Sequence, residues 1–253
     1  MNEIAYSYVA LLDVLAYKEY LERDRSSGRL EFRDAMSKAL AVFTTVNQAE
    51  FDYKAISDTI IVTCSAREKA VAFLRLLKQI QISFLKEGLF LRGATVYASH
   101  FQSGSLTYSP ALARAYELEQ KTAIYPRIMI DLNILEMFAS SEKGTGLLSS
   151  GLVCEWNGVF FLNILDARNW TRVYTATSKM FSRDSVKLVG QESAFAKHVW
   201  FENYLFSSSH ADKTAKTYIP KPKHLEKDSN IFAVKKPTRK HIYFPPNTFK
   251  AKL

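Results

Sequence analysis

The sequence predicts an α+β domain in which helices pack on one face of an antiparallel sheet. Short apolar, β-favouring runs alternate with longer runs of helical periodicity over roughly the first 130 residues. A chain of 253 residues, 47% of them hydrophobic, is also long enough to bury one substantial core. After about residue 208 the composition turns basic and proline-containing. These observations predict one globular domain with an appended arm.

The first elements are a strand and two helices. Residues 7–12 form an apolar, β-favouring run that stops at Asp13, and residues 14–21 take on helical character. A second helix is predicted over residues 30–46, because large apolar side chains recur there at spacings of three and four. The chain therefore begins as a strand that leads into a helix through an aspartate.

Two short strands and a long helix follow. Residues 51–56 and 59–64 are predicted strands on either side of a polar tight turn. Ser65, with Glu68 three residues on, has the spacing of a capping box and predicts the start of a helix that ends at Gly88. Its predicted buried stripe is Ala70, Phe73, Leu77, Ile80 and Phe84.

The order of elements up to residue 131 indicates the type of sheet. Residues 90–97 and 127–131 are predicted strands, and residues 102–105 form a polar, hairpin-like segment. Residues 109–121 predict a helix with proline at its first position. The resulting order, β-α-α-β-β-α-β-α-β, fits a ferredoxin-like antiparallel sheet.

The remaining sequence predicts a hairpin, a helix and a basic arm. Residues 152–165 contain an Asn-Gly turn signal between apolar runs, and residues 192–205 are predicted to be helical. We divide the chain into a core over residues 1–135, a continuation of the same domain over 136–208, and the arm over 209–253. The arm contains Pro220, Pro222, Pro237, Pro245 and Pro246, which favour an extended chain.

The charge of the protein is concentrated in this arm. Residues 212–253 contain 11 Lys/Arg against three Asp/Glu, an excess of eight out of the net charge of +9. Such a segment can bind nucleic acid or a membrane surface, or can pack as a solvated arm across its own domain or a partner subunit. The sequence leaves these alternatives open.

Other features point to a reduced, cytoplasmic setting. Cys64 and Cys154 have no CxxC or Cys/His ligand spacing, and no basic-then-apolar leader opens the chain. No apolar run approaches the ~20 residues of a spanning helix, so membrane insertion is not expected. The five histidines are scattered without metal-ligand spacing: His100, His198, His210, His224 and His241.

Two carboxylates are candidates for metal chemistry. Asp13 ends one apolar run and Asp58 precedes another, so a hairpin packed beside the first strand would bring them to one end of the sheet. Such a pair can hold hard divalent cations, which stabilise an in-line phosphoryl displacement. Alternatively, Asp13 only caps a helix and Asp58 only serves a turn. An anion site for phosphates is predicted at the backbone amides of Val14, Leu15, Ala16 and Tyr17.

The motifs around these aspartates resemble a known family. Residues 11–17, Leu-Leu-Asp-Val-Leu-Ala-Tyr, resemble the first metal motif of class III nucleotidyl cyclases, and residues 56–60 resemble their second metal hairpin, where glycine commonly stands at the position of Ser57. A longer pattern is similar to the divergent branch formed by the pyrimidine cyclases of bacterial anti-phage Pycsar systems. It comprises residues 91–96, 108–119 and 123–131, and the resemblance covers about residues 5–135.

The resemblance implies an activity and a site. In this family the ribose 3′ oxygen attacks the α-phosphate and pyrophosphate leaves, in active sites between the subunits of a homodimer. Asp13 and Asp58 would hold two divalent cations, Mn²⁺ or Mg²⁺, with the Val14 carbonyl as a further ligand. Lys54 stands where purine-using members carry a base-reading lysine. Tyr53 and Lys54 are therefore the candidates for a base pocket.

The sequence also departs from the family pattern. Ala113 and Glu117 occupy the places where purine-using members carry an asparagine and an arginine. Arg114 is adjacent and is a candidate catalytic residue, and Arg92 is a candidate contact for the triphosphate. This departure argues against adenylate or guanylate cyclase activity, but it would also suit a protein that has lost activity.

Three functional interpretations follow. The first is a uridylate or cytidylate cyclase, with UTP favoured over CTP, whose product an effector reads on infection. The second is a catalytically silent ferredoxin-like dimer that binds nucleotide or nucleic acid through its tail. The tail residues concerned are Lys235, Lys236, Arg239 and Lys240. The third is an adenylate cyclase.

Overall fold

A computed structural model describes residues 5–103, 106–139, 147 and 149–222 of the chain. The chain divides into one compact unit of residues 1–219 and a second unit of residues 220–253, of which residues 220–222 are described. The predicted turn at residues 104–105 and most of the predicted arm lie outside the described residues. The account below concerns the first unit.

The described elements agree closely with the predicted order. The strands are β1 Ala5–Val14, β2 Asp52–Ile56, β3 Thr59–Cys64, β4 Leu91–Ser103, β5 Leu106–Tyr108, β6 Ile128–Ile130, β7 Val153–Trp156 and β8 Val159–Leu162. The helices are α1 Tyr17–Ser27, α2 Glu31–Leu40, α3 Ala70–Lys86, α4 Pro110–Thr122, α5 Leu132–Ala139, α6 Trp170–Asp184 and α7 Glu192–Ser207. The order predicted as far as residue 131 is confirmed, with β5 as an addition.

The sheet has the order β2-β3-β1-β4-β6-β8-β7, and β5 pairs with β4. The first four strands pair antiparallel in the ferredoxin-like arrangement. The α+β class is therefore confirmed. The prediction of a wholly antiparallel sheet is wrong, because β4 and β6 pair in parallel. Helix α4 connects these two strands, and a helical crossover returns the chain in the same direction.

Helices cover both faces of the sheet, which corrects the one-face prediction. Successive residues of a strand point to opposite faces. On one face Tyr8 and Leu12 join the main core with Phe73 of α3, and on the other face Leu11 packs with Ala115 of α4. Both faces of β1 are therefore buried. This matches its nearly continuous apolar sequence.

Several local predictions need adjustment. Strand β1 runs through Asp13 to Val14, and α1 begins at Tyr17. The helix predicted over residues 30–46 ends at Leu40 and continues as a 3₁₀ turn, Ala41–Thr45. Ser65 does not cap α3, because another 3₁₀ turn precedes the helix. The stripe predicted for α3 is confirmed, since all five of its side chains are buried.

The later elements are partly as predicted. The hairpin β7–β8 turns through Asn157 and Gly158, whose φ values of 55° and 72° are those that an Asn-Gly turn supplies. Helix α7 confirms the predicted helix at residues 192–205, whereas α5 and α6 were not predicted.

The chain beyond α7 packs on the domain as far as Ile219. The amides of Tyr218 and Ile219 donate to Glu202 Oε1 at 2.5 and 2.8 Å. The Tyr174 hydroxyl donates to the Lys216 carbonyl at 2.7 Å. The compact unit thus includes the start of the segment that the sequence assigns to the arm. None of the helices in the described ranges has the length and apolar character of a membrane span.

One buried histidine makes stability depend on pH. His198 of α7 is 6% exposed, and its ring lies 5.0 Å from that of Phe90 and 5.5 Å from that of Phe181, between centroids. Burial lowers the pKa of His198 to about 4; the charge of Asp184 opposes this shift, and Arg183 and Lys197 add to it. The folded protein therefore keeps the ring neutral.

We predict that acidification destabilises the fold through His198. Between the ordinary histidine pKa near 6.5 and the folded value near 4, only the unfolded chain takes up the proton, so the free energy of unfolding falls as pH falls. This loss should reach about 2 kcal/mol at pH 5. Urea denaturation at pH 7.5 and pH 5.0 measures the free energy of unfolding. In His198→Phe this free energy should fall between the two pH values by about 2 kcal/mol less than in the wild type. An equal decrease in both proteins would contradict the prediction.

Candidate active site

The structure brings Asp13 and Asp58 together at one end of the sheet. Asp13 lies opposite Thr59 in the β1–β3 pairing, and the Val14 amide donates to the Asp58 carbonyl at 3.0 Å. Asp58 occupies the tip of the β2–β3 hairpin, because Ser57 before it adopts a left-handed φ of 60°. This conformation explains why glycine suits the position before the aspartate. The hairpin thereby folds one carboxylate back towards the other.

The loop after Asp13 leads into α1 with a second left-handed residue. Ala16 has φ 62° and caps α1 without a side-chain hydrogen bond. Of the four amides predicted to bind an anion, those of Val14 and Leu15 are already occupied, since they donate to the carbonyls of Asp58 and Phe90 at 3.0 Å. That part of the prediction is wrong. The amides of Ala16 and Tyr17, where α1 begins, keep the unsatisfied donors of a helix N-terminus.

Arg92 connects the first aspartate to a buried glutamate. Its Nε donates to Asp13 Oδ2 at 2.9 Å and lies 2.8 Å from Glu119 Oε1 on α4. Nε carries one hydrogen, which points to Asp13, so the Glu119 contact is an ion pair without a hydrogen bond and Oε1 has no hydrogen-bond partner. Gly93 makes this pairing possible. A Cβ at that position would collide with the Leu11 carbonyl of the neighbouring strand.

The charges at this site are not balanced. Burial raises the pKa of Asp13; the Arg92 guanidinium opposes this rise, and the charge of Asp58 adds to it. Burial likewise raises the pKa of Glu119, again opposed by Arg92. One guanidinium therefore faces two carboxylates, Asp13 and Glu119, and Asp13 is also close to Asp58. Additional positive charge at this end of the sheet would stabilise the ionised forms.

The donor set fits a divalent cation of the oxygen-binding kind. Asp13 keeps Oδ1 outside its bond with Arg92, Asp58 is half-buried beside it, and the mutual repulsion of the two carboxylates favours a cation between them. Within the described ranges, no three His, Cys, Asp or Glu side chains converge on one metal position. A cation here would depend on two carboxylates, backbone carbonyl oxygen such as that of Val14, and substrate oxygens.

The two candidate base-pocket residues leave opposite faces of β2. Lys54 lies opposite Ile61, on the face that Asp13 and α4 share, and is exposed. Tyr53 lies opposite Val62 and stacks on Phe43 with ring centroids 3.9 Å apart. The prediction that both side chains enter one base pocket is therefore wrong. Tyr53 supports the strand from behind, and Lys54 remains on the side of the carboxylates.

Arg114 does not contact this cluster within one chain. Its guanidinium forms a forked ion pair with the buried Asp131, in which Nη2 donates to Oδ1 at 2.8 Å and Nε contacts Oδ2. Ala113 and Glu117 are exposed on the same side of α4, and Glu117 pairs with Lys121 at 3.7 Å. The residues at the family's substrate-contacting positions thus point away from their own chain.

Sequence analysis missed two residues of this region. Glu119 lies four and eight residues after Ala115 and Ala111, so helical spacing places it on the buried stripe of α4. A carboxylate on that stripe was an available signal. The second residue is Lys197 of α7, which lies near Arg92. Burial is the larger cause that lowers the pKa of Lys197, and the charge of Arg92 lowers it further. No sequence signal connects Lys197 to the aspartates.

Comparison with known proteins gives matches to solved structures alone. No family model matches the chain, and no curated protein matches it. An adenylate cyclase structure from Trypanosoma brucei has 10% identity and a TM-score of 0.44, covering 65% of this chain and 92% of that one. A bacterial light-regulated adenylyl cyclase has 12% identity and a TM-score of 0.42, and the match covers 70% of this chain and 99% of that one. The guanylyl cyclase domain of the RhoGC fusion protein from Blastocladiella emersonii has 11% identity and a TM-score of 0.41, and the match covers 63% of this chain and 95% of that one. At such values, any functional argument must come from the residues themselves.

We predict that Arg92 is required for stability because it separates two carboxylates. Arg92→Met should lower the free energy of unfolding by roughly 2 kcal/mol, less than for a fully buried pair because the side chain is 27% exposed. Glu119→Gln in the same chain should recover part of the loss, since one of the two uncompensated charges is removed.

Urea denaturation of the two single variants and the double variant measures this coupling. Arg25→Met is the matched control. It breaks the exposed pair with Glu22, in which Arg25 is 79% exposed, and should change stability by about 0.5 kcal/mol at most. The idea fails if Arg92→Met is as stable as the wild type, or if the double variant is no more stable than Arg92→Met.

Proposed function

We propose that the protein is a nucleotide cyclase that converts a pyrimidine nucleoside triphosphate to its 3′,5′-cyclic monophosphate and pyrophosphate. The convergence of Asp13 and Asp58 beside the amides of Ala16 and Tyr17 carries the proposal. It joins a cation-binding carboxylate pair to a phosphate-binding helix terminus. The sequence resemblance to class III cyclases supports the same chemistry.

The proposed reaction forms one P–O bond and breaks another. The ribose 3′ oxygen attacks the α-phosphorus, its proton passes to water, and the bond to the β-phosphate breaks. Divalent cations bound at Asp13 and Asp58 would stabilise the attacking and leaving oxygens. The amides of Ala16 and Tyr17 orient the phosphates. Arg92 fixes the rotamer of Asp13 through its 2.9 Å bond, and the adjoining Glu119 fixes Arg92.

Lys54 is the proposed contact for the base. It is exposed on the same face of the sheet as Asp13, and its ammonium group can donate to a carbonyl oxygen of the base. Uracil offers a carbonyl oxygen at position 4 where cytosine carries an amino group, so a donor at this position favours UTP over CTP. Ala113 and Glu117, in place of the family's asparagine and arginine, distinguish the chain from purine-using members.

The active assembly is proposed to be a homodimer that uses the exposed side of α4. Tyr108, at the end of β5 just before α4, and Tyr116, in the middle of α4, are 58% and 56% exposed. Exposed aromatic side chains of this size are typical of interfaces. Arg114, oriented by Asp131, would then reach the phosphates of the partner's site. The proposed product is a second messenger that a separate effector reads in anti-phage defence.

We predict that the purified protein makes one dominant cyclic pyrimidine nucleotide. Incubation with Mn²⁺ or Mg²⁺ and each of the four ribonucleoside triphosphates, followed by chromatography, measures the product. Asp13→Asn and Asp58→Asn should each lower turnover by about 100-fold or more, because each removes a charged cation ligand.

The control for these variants is Asp34→Asn, the same change at an exposed surface ion pair. It should leave turnover unchanged. Full turnover by either active-site variant would refute the assignment of the cation site. Absence of product from all four nucleotides, with the protein folded, would favour the silent binding protein, and a cyclic purine product would favour an adenylate or guanylate cyclase.

A second prediction concerns assembly. Tyr116→Arg should place a charge in the proposed interface, convert the dimer to a monomer and lower turnover at least tenfold, because each site needs both subunits. Sedimentation velocity and the product assay measure these effects. Val186→Arg, at a position 84% exposed in another part of the unit, is the control and should remain dimeric and active. A Tyr116→Arg protein that is still dimeric would place the interface elsewhere.

A further inference from the structure

A cavity of about 610 Å³ lies beside the candidate active site, between α1, α6 and α7. It begins at Leu15 and Ala16, two and three residues after Asp13, and extends to Lys197 and His198 of α7. Its volume is in the range of small-molecule sites. The walls come from both halves of the compact unit.

Three cationic side chains line this cavity from different elements. Arg23 belongs to α1, Lys187 to the segment after α6, and Lys197 to α7. Within the described residues none of the three forms an ion pair. Lys197 Nζ donates to the carbonyl and hydroxyl oxygens of Ser193, at 3.3 and 3.2 Å. The Arg23 guanidinium lies 5.0 Å from the centroid of the Tyr20 ring, and its Nε is buried without a hydrogen-bond partner.

The carboxylates of the cavity do not neutralise this charge. Asp184 is paired with Arg183 at 2.6 Å, outside the group of three cations. Glu19 is exposed at the first turn of α1. Its charge raises the pKa of Lys197, but burial, the larger cause, and Arg92 lower that pKa. The cavity therefore has an excess of positive charge, to which the N-terminal end of the α1 dipole adds.

A buried polar group in the wall lacks a partner. His198 lines the cavity and is 6% exposed, and its Nδ1 forms no hydrogen bond. A buried polar nitrogen without a partner costs free energy unless a ligand or water satisfies it. In the neutral tautomer with hydrogen on Nδ1, the ring can donate to an anionic oxygen.

The cavity is electrostatically connected to the catalytic carboxylates. Lys197 lies close enough to Arg92 for the two charges to repel, and Arg92 contacts Asp13. Leu15 and Ala16 are shared by the cavity wall and the phosphate-binding loop. An anion in the cavity would therefore extend from the α1 terminus towards α7, away from the metal pair.

We propose that this cavity binds a pyrophosphate group, held by Arg23, Lys187 and Lys197. The inference rests on the proposed function, in which that group is the β,γ-diphosphate of the substrate and then the leaving pyrophosphate. Three separated cations match a polyanion with several charged oxygens better than a single carboxylate. The helices beyond residue 135 thus supply the leaving-group side of the site.

The test measures pyrophosphate binding directly. Isothermal titration of sodium pyrophosphate without divalent metal into the full chain should show binding that weakens about tenfold or more in Lys197→Met. Lys187→Met, in the segment after α6, should weaken binding in the same direction. Lys179→Met is the matched control, since Lys179 is exposed on α6 and does not line the cavity, and should bind as the wild type does.

Kinetics separate the substrate's diphosphate from free pyrophosphate. If the cavity holds both, Lys197→Met should raise KM for the nucleotide and the inhibition constant for pyrophosphate by similar factors, with a smaller change in kcat. A change in the inhibition constant alone would assign the cavity to the free product. Wild-type affinity for pyrophosphate in both Lys197→Met and Lys187→Met, or an equal loss in Lys179→Met, would overturn the inference.

The outcome is distinguishable from failure of the proposed function. If no nucleotide is cyclised but Lys197→Met still loses pyrophosphate binding, the cavity assignment stands and the activity does not. If Asp13→Asn abolishes turnover while Lys197→Met and Lys187→Met both bind pyrophosphate normally, the activity stands and the cavity assignment does not.

Discussion

The pairing of β1 between β3 and β4 is the constraint on which the rest of the site depends. Its register places Asp13 opposite Thr59 on one side and Arg92 on the other. Gly93 permits the close approach of β4 to the Leu11 carbonyl, so that the Arg92 guanidinium arrives level with the carboxylate. A shift of one residue in either strand would turn Asp13 and Arg92 to opposite faces. Because β1 is apolar on both faces, its sequence pattern alone does not select the register; Gly93 against the Leu11 carbonyl and the bond between Arg92 and Asp13 favour the observed one.

This register concentrates negative charge where the backbone provides little compensation. Asp13 and Glu119 share a single guanidinium, Asp58 is close to Asp13, and burial raises the pKa of both Asp13 and Glu119. A protein selected for stability alone would gain little from such an arrangement, since buried ion pairs with incomplete partners are costly. The left-handed residues Ala16 and Ser57 add local backbone strain at the same place. Strain and uncompensated charge together are typical of a site completed by a ligand.

The parts of the fold that were predictable are those specified by local pattern. Asp13 and Asp58 could be found because each interrupts an apolar run, and the turn at Asn157 because Asn-Gly permits its backbone angles. Helix α6 was not predictable in this way, since threonine and serine are frequent in it. Their hydroxyls donate to carbonyls one turn back, as Thr177 does to Val173 at 2.9 Å, and tertiary packing stabilises the helix despite weak propensity. The occupied amides of Val14 and Leu15 depend on carbonyl groups far along the chain, those of Asp58 and Phe90, which no local pattern contains.

The C-terminal helices also determine the position of α1, and through it the amides proposed to bind phosphate. Arg183 of α6 donates to the Gly88 carbonyl and the Tyr20 hydroxyl, both at 3.1 Å. Gly88 has φ 72°, and a side chain there would occupy the space of the guanidinium, so this contact requires glycine. Tyr20 lies one turn after the first residue of α1. The contacts of α6 with Tyr20 and Gly88 therefore hold α1 in place and set the direction of the Ala16 and Tyr17 amides. Residues 170–219 are in this sense a structural component of the candidate site that contains Asp13.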